Sequence, residues 1–276
     1  MRNILLTISY DGTDFCGWQR QDASKDVREM RTVQGEVERA LQKLFSEKID
    51  LHGSGRTDSG VHARAQAANF FCPIESIPAQ NIPRALNNFL PRDVRINSAC
   101  EVPENFSARF SATSRVYRYF ILPCEIPCAA SARFVWQIKR NPEIETLQKM
   151  ASILKGEIDF ATFAASGDKS VSTFRYVERA RFFFQEDLFG QRLLVFEIEA
   201  NAFLWKMVRS LVGTLIEFER DGGGAEKFKA ALSSRQRKNA GPTAPPNGLF
   251  LWQVKFYGMG RHAYKACRIS VRFDVN

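Results

Sequence analysis

Ile4, Leu6, Ile8 and Tyr10 occupy alternate positions near the start of the chain, with Thr7 and Ser9 among the residues between them. Apolar residues at every second position predict a half-buried strand over 3–10. Val33, Val37, Ala40, Leu41 and Leu44 then recur at helical spacing. "IDLHGSG" (49–55) reads as a short strand running into a glycine loop, and "AQAANFF" (65–71) as the next strand. Ile82, Ala85, Leu86, Phe89 and Leu90 make a helical stripe, and "DVRINSA" (93–99) closes as a strand. The predicted order is β-α-β-β-α-β.

The remainder repeats that order. "RVYRYFIL" (115–122) is a strand by its β-branched and aromatic content, and "EIETLQKMASIL" (143–154) is a helix. "YVERARFFF" (176–184) and "RLLVFEIEA" (192–200) are strands joined across a hairpin candidate containing Gly190. Leu204, Met207, Val208, Leu211, Val212 and Leu215 define an amphipathic helix that "DGGG" (221–224) ends. A further helix (225–232) and the breaker-rich "NAGPTAPPNG" (239–248) precede a last strand, "LFLWQVKFY" (249–257). Setting the extra helix aside, this is a second split βαβ arrangement. The expected class is α+β: two ferredoxin-like halves, 1–110 and 111–276, with mainly antiparallel sheets packed side by side and a cleft between them.

Composition narrows the class. The 276 residues are 45% hydrophobic and include 23 Phe, enough for a packed core and against disorder. No apolar run approaches a membrane span, and the N-terminus reads as a strand, not a signal peptide. Six cysteines without a CxxC, and only three histidines, argue against a zinc site and for reduced cytosolic thiols. The net charge is +9, and all of the excess lies in the second half: residues 1–110 hold 14 basic and 14 acidic side chains. Lys227 to Arg272 contains ten Lys/Arg and no Asp or Glu. One-sided basicity suits a polyanion, with a solubilising surface as the plain alternative.

Three features could carry chemistry. Asp58 stands in "GSGRTDSGVHA" (53–63), where small residues leave a carboxylate uncrowded. It can act as a nucleophile or general base, or merely cap an Asx turn. Arg209 lies at the margin of the apolar stripe of its helix, with Gly213 leaving room one turn on. It either pairs with a carboxylate, Asp58 included, and holds it ionised, or snorkels over the stripe. Tyr117 and Tyr119 alternate with Arg115 and Arg118, so the tyrosines share a strand face. They can stack on bases beside phosphate-gripping arginines, or pack in a core.

The stretches "SYDGTDFCGWQRQ" (9–21), "TVQGEVERAL" (32–41), "GSGRTDSGVHARAQ" (53–66), "FSARFSATSRVYRY" (106–119), "DFATF" (159–163), "NAFLWKMVRSLVGTLIE" (201–217) and "AGPTAPPNGLFL" (240–251) together resemble the TruA family of tRNA pseudouridine synthases, in the family's order. The resemblance implies a fold of two ferredoxin-like halves facing across a cleft. It implies that Asp58 is the catalytic carboxylate, that Arg56 helps displace the target uridine, that Tyr117 contacts the flipped uracil, and that Arg209 pairs with Asp58. It also implies tRNA as substrate at uridines 38, 39 and 40, base flipping, a homodimer in the cytoplasm, and neither cofactor nor metal. Trp205, Lys206 and Ser210 depart from the family's usual residues. The tail 258–276 matches none of these motifs and reads equally as a strand, an RNA-contacting extension or a poorly ordered end.

Overall fold

The computed structural model describes residues 1–21 and 30–257. Cys267 and the tail 258–276 lie outside the described residues. The fold is mixed α+β with mostly antiparallel strands, as the periodicity predicts. The chain divides into two compact units, one formed by Met1–Thr113 with the chain from Gln253, the other by Ser114–Trp252.

In the first unit the order is β1 (Arg2–Tyr10), α1 (Val33–Phe45), β2 (His52–Gly53), β3 (His62–Cys72), α2 (Ile82–Asn87) and β4 (Val94–Val102). This is the predicted β-α-β-β-α-β. β1 lies between β3 and β4, antiparallel to both, with Leu6 opposite Ala68 on one side and Ala99 on the other. α1 starts where Thr32 accepts the Gly35 N–H at 3.3 Å, and it buries Val33, Val37, Ala40 and Leu41 as its period requires. A buried amide pair locks the end of this unit: Asn69 donates to Asn3 at 2.9 Å, and Asn3 donates to the carbonyl of Phe106 at 2.8 Å.

The second unit holds β5 (Ala112–Pro123), β6 (Trp136–Ile138), α3 (Ile144–Ser152), β7 (Gly156–Asp159), β8 (Phe174–Glu186), β9 (Arg192–Ala200), α4 (Met207–Arg220), α5 (Gly224–Ser234) and β10 (Leu249–Phe256), the unit boundaries falling within β5 and β10. β9 is flanked by antiparallel β5 and β8, and β7 extends β8. β6 lies parallel to β5, with Trp136 opposite Ile121. β6 and β7 go beyond the predicted elements, because three and four residues are too few to display an alternation. The β8–β9 hairpin turns at Gly190 with φ 74°, and the Asp187 carboxylate accepts the N–H groups of Phe189 and Gln191.

β9 is buried along nearly its whole length, yet it carries Glu197 and Glu199. Three arginines surround Glu197. Arg118 Nε donates to it at 2.8 Å, Arg181 Nε at 3.0 Å, and Arg179 lies 3.2 Å away. Arg118 is also stacked over Trp252 at 4.2 Å. Burial pushes the Glu197 carboxyl up, but the hydrogen bond and charge of Arg118, with Arg181 and Arg179, outweigh it and hold the group below its ordinary 4.5. A lowered native value means stability that is complete above 4.5 and lost as the pH falls below it. Glu197→Gln is therefore expected to cost about 2 kcal/mol near neutral pH, or about 5 °C in thermal midpoint. The gap to wild type should close on acidification, measured by thermal unfolding from about pH 7 to about pH 3. A gap that persists at the acid end would show that charge is not its origin.

Candidate active site

Asp58 sits in the connection from β2 to β3, and the residues before α1 hold that connection in place. Thr57 is fixed at both ends: its carbonyl accepts the Trp18 N–H at 3.1 Å, and its hydroxyl bonds the Tyr10 phenol at 2.7 Å. The Asp58 carbonyl accepts the Val61 N–H at 3.2 Å, closing a four-residue turn whose third residue, Gly60, has φ 75°. That is a type II position, which needs a residue free to adopt positive φ. Ser59 and Gly60 both donate to the Phe15 carbonyl, at 3.1 and 3.3 Å. Farther along, the Gly12 N–H donates to His62 Nδ1 at 2.9 Å, and His62 is fully buried.

Two glycines before α1 make this approach possible. A Cβ on Gly12 would stand 2.0 Å from the Val61 carbonyl oxygen, and one on Gly17 2.6 Å from that of Thr57. Gly17 also has φ 100°. Gly53 gives its space to the Trp18 indole, whereas Gly55 faces nothing within 4 Å. Of the glycines that flank Asp58 in the chain, Gly53 thus admits an indole and Gly55 leaves open space, while Gly12 and Gly17 admit the backbone of the turn. Asp58 is half-buried and Arg56 exposed, with Arg56 Nε donating to Gln19 at 3.2 Å. The structure brings these two onto one braced turn. Gly12, Gly17, Tyr10 and Trp18 were not singled out by sequence, although "SYDGTDFCGWQRQ" contains them all.

Tyr117 and Arg209 belong to the second unit. Tyr117 is buried on β5, with its ring edge-on to Phe203 at 4.9 Å. Arg209 is half-buried in the first turn of α4 and is tied to the 240–248 segment. Its Nε donates to the Ala244 carbonyl at 2.8 Å, and its carbonyl accepts the Ala244 N–H at 3.0 Å. A guanidinium held this way is not simply draped over an apolar stripe. The room left by Gly213 is filled by the Pro242 carbonyl, 1.9 Å from where a Cβ would stand.

Lys206 precedes α4 with φ 58°, its ammonium 4.7 Å over the Trp205 ring. Trp205 is anchored by its backbone: its N–H donates to Asp168 and its carbonyl accepts the Ala165 N–H at 3.0 Å. Burial raises the Asp168 carboxyl, but hydrogen bonds from Ser170 and Trp205 and the charge of Arg175 bring it below its usual range. The two departures at 205 and 206 thus shape the entry to the Arg209 helix without removing the arginine. Sequence reasoning missed Asp168, whose signal is the turn-rich "SGDKS" (166–170).

Among the described residues no group of three or more His, Cys, Asp or Glu could hold a metal ion, and no helix is long and apolar enough to cross a membrane. Cys16, Cys72, Cys100, Cys124 and Cys128 are free thiols.

The chain matches the family model described as tRNA pseudouridine synthase over residues 6–111 and 150–257. It is 52% identical over 255 residues to tRNA pseudouridine synthase A of Treponema denticola, covering 92% of this chain and 93% of that protein. It is 46% identical over 242 residues to the protein of that name from Treponema pallidum strain Nichols, covering 88% and 84%. With the Thermosipho melanesiensis protein of that name it shares 40% identity over 256 residues, covering 93% and 100%. The matched stretches contain Arg56, Asp58 and Arg209, and the identity extends over nearly the whole chain, so the chain belongs to the tRNA pseudouridine synthase family.

Proposed function

We propose that this isomerase converts uridines 38, 39 and 40 of the tRNA anticodon arm to pseudouridine, with Asp58 as its catalytic carboxylate. The reaction breaks the bond from uracil N1 to ribose C1′, turns the base, and joins C5 to C1′ as the C5 proton leaves and N1 takes up a proton. Nothing is oxidised and no phosphate is transferred, so the chemistry calls for neither metal nor organic cofactor. Asp58 serves it by attacking C1′ or by assisting elimination at the sugar; both routes need an ionised carboxylate within reach of the ribose.

The observation that carries this reading is the setting of Asp58, half-buried on a turn fixed through Thr57 to Trp18 and Tyr10. A nucleophile or base gains most when its position is settled before substrate arrives. Arg209 pairs with Asp58. Arg56, exposed beside it, fills the gap left by the displaced uridine, which costs a few kcal/mol to unstack. Tyr117 contacts the flipped uracil and is the candidate base for the C5 proton. The basic residues concentrated after position 110 hold the tRNA phosphates by salt-sensitive attraction. The enzyme works in the cytoplasm as a homodimer, with one tRNA against both subunits.

The test is to incubate the purified protein with unmodified tRNA, no cofactor added, and map the new pseudouridines chemically. Modification at 38, 39 and 40 is expected; a different set of positions overturns the site assignment. Asp58→Asn should lower turnover by about 10⁴-fold or more with tRNA affinity nearly unchanged. Full activity in that variant removes Asp58 from the chemistry. Tyr117→Phe should bind tRNA normally and turn over about 100-fold more slowly, with Tyr119→Phe the milder change. The reverse ranking means the tyrosines are exchanged in role.

A further inference from the structure

Tyr119 is fully buried, yet its hydroxyl makes one directed contact, donating to the Pro245 carbonyl at 2.7 Å. Burial pushes its phenol well above its usual range, and the positive charge of Arg209 draws it partly back, which places the two side chains in one electrostatic neighbourhood. They meet through residues 241–245, a strap with no regular secondary structure that lies along α4.

The strap is anchored at several points. Gly241 N–H donates to Thr214 Oγ1 at 2.9 Å, and Thr214 itself donates to the Ser210 carbonyl at 2.7 Å. Arg237 donates to the Gly241 carbonyl at 2.9 Å and to Thr243 Oγ1 at 3.0 Å. Gly213 lets the Pro242 carbonyl reach the helix backbone. At the far end Pro245 and Pro246 stiffen the chain, and Gly248 packs against the Tyr119 ring, leaving only 2.6 Å for a Cβ. Ala244, the residue that accepts from Arg209 Nε, lies between the Thr214 anchor and the Tyr119 anchor.

We propose that Tyr119 is a positioning residue for Arg209: its hydroxyl fixes Pro245, and the strap carries that fix through the Ala244 carbonyl to the guanidinium. Tyr119 touches no substrate in this scheme. It divides the labour of the Tyr-Arg-Tyr run, with Tyr117 at the uracil and Tyr119 behind the arginine. The inference rests on the proposed pairing of Arg209 with Asp58.

The test is a double-mutant cycle read in single-turnover rate, tRNA affinity and thermal midpoint. Tyr119→Phe removes only the hydroxyl, and Arg209→Lys removes the Nε–H that Ala244 accepts. Tyr119→Phe is expected to slow the single-turnover rate about tenfold, the equivalent of one net hydrogen bond, with tRNA affinity within about twofold. In the Arg209→Lys background, already about 100-fold slow, the same change should slow the rate no further, while lowering the thermal midpoint as much as it does in wild type. Thr214→Val, which frees Gly241 at the other anchor, should behave likewise and stands in if Tyr119→Phe folds poorly. Equal slowing by Tyr119→Phe in both backgrounds, or none in either, overturns the positioning role alone. Wild-type rates in Arg209→Lys overturn the role of Arg209 itself.

Discussion

The hydrogen bonds that Thr57 makes to Trp18 and Tyr10 are the constraint on which the Asp58 site depends. A carboxylate that acts on a ribose carbon must be held where the sugar will be, and a glycine-rich loop left to itself would wander. Here, Gly55 apart, the glycines around the turn are committed to packing or to its backbone geometry. Gly12 and Gly17 admit the backbone of residues 57–61, Gly53 admits the Trp18 indole, and Gly60 supplies the one turn position that needs positive φ. The entropy lost in ordering this loop is offset by bonds inside the first unit, so the ordering precedes any substrate.

The second unit solves the same problem in the same way. Arg209 exchanges two hydrogen bonds with Ala244, and the approach is possible because Gly213 lacks a Cβ. Both candidate charged groups are thus steadied by an irregular segment packed where glycines lack a Cβ, with backbone hydrogen bonds joined by side-chain ones in each contact. Side-chain substitutions around such contacts act by displacing main chain, which makes small residues as consequential here as the ionisable ones.

How much of this can be read from sequence follows from the range of each interaction. β1, α1 and α4 are legible because their apolar residues repeat at two or 3.6 positions. β9 is less so, since it is buried on both faces, and its two glutamates look like surface residues until Arg118, Arg179 and Arg181 are seen around Glu197. β6 and β7 are too short to show a period. Asp58, Arg209 and the tyrosine pair stand out by residue type, but their roles, the choice of Tyr117 and the inclusion of Arg56 come from motif resemblance, because a lone Asp among glycines, or a helix-edge Arg, has ordinary structural explanations. Their surroundings were hidden because they are distant in the chain. Ala244 is 35 residues from Arg209, and Tyr119 is 126 from Pro245. Alternation puts Tyr117 and Tyr119 on one face but does not distinguish a ring against Phe203 from a hydroxyl bonded to Pro245.

The central claim is that the position of the Asp58 carboxylate, and not merely its charge, makes the chemistry possible. The most direct measurement is the single-turnover release of the C5 hydrogen from labelled tRNA by Asp58→Glu, with enzyme in excess. Glutamate keeps the charge and moves it by one methylene. If the braced turn sets the geometry, release should be about 100-fold slower than in wild type although the tRNA remains bound. Release at the wild-type rate would contradict that account.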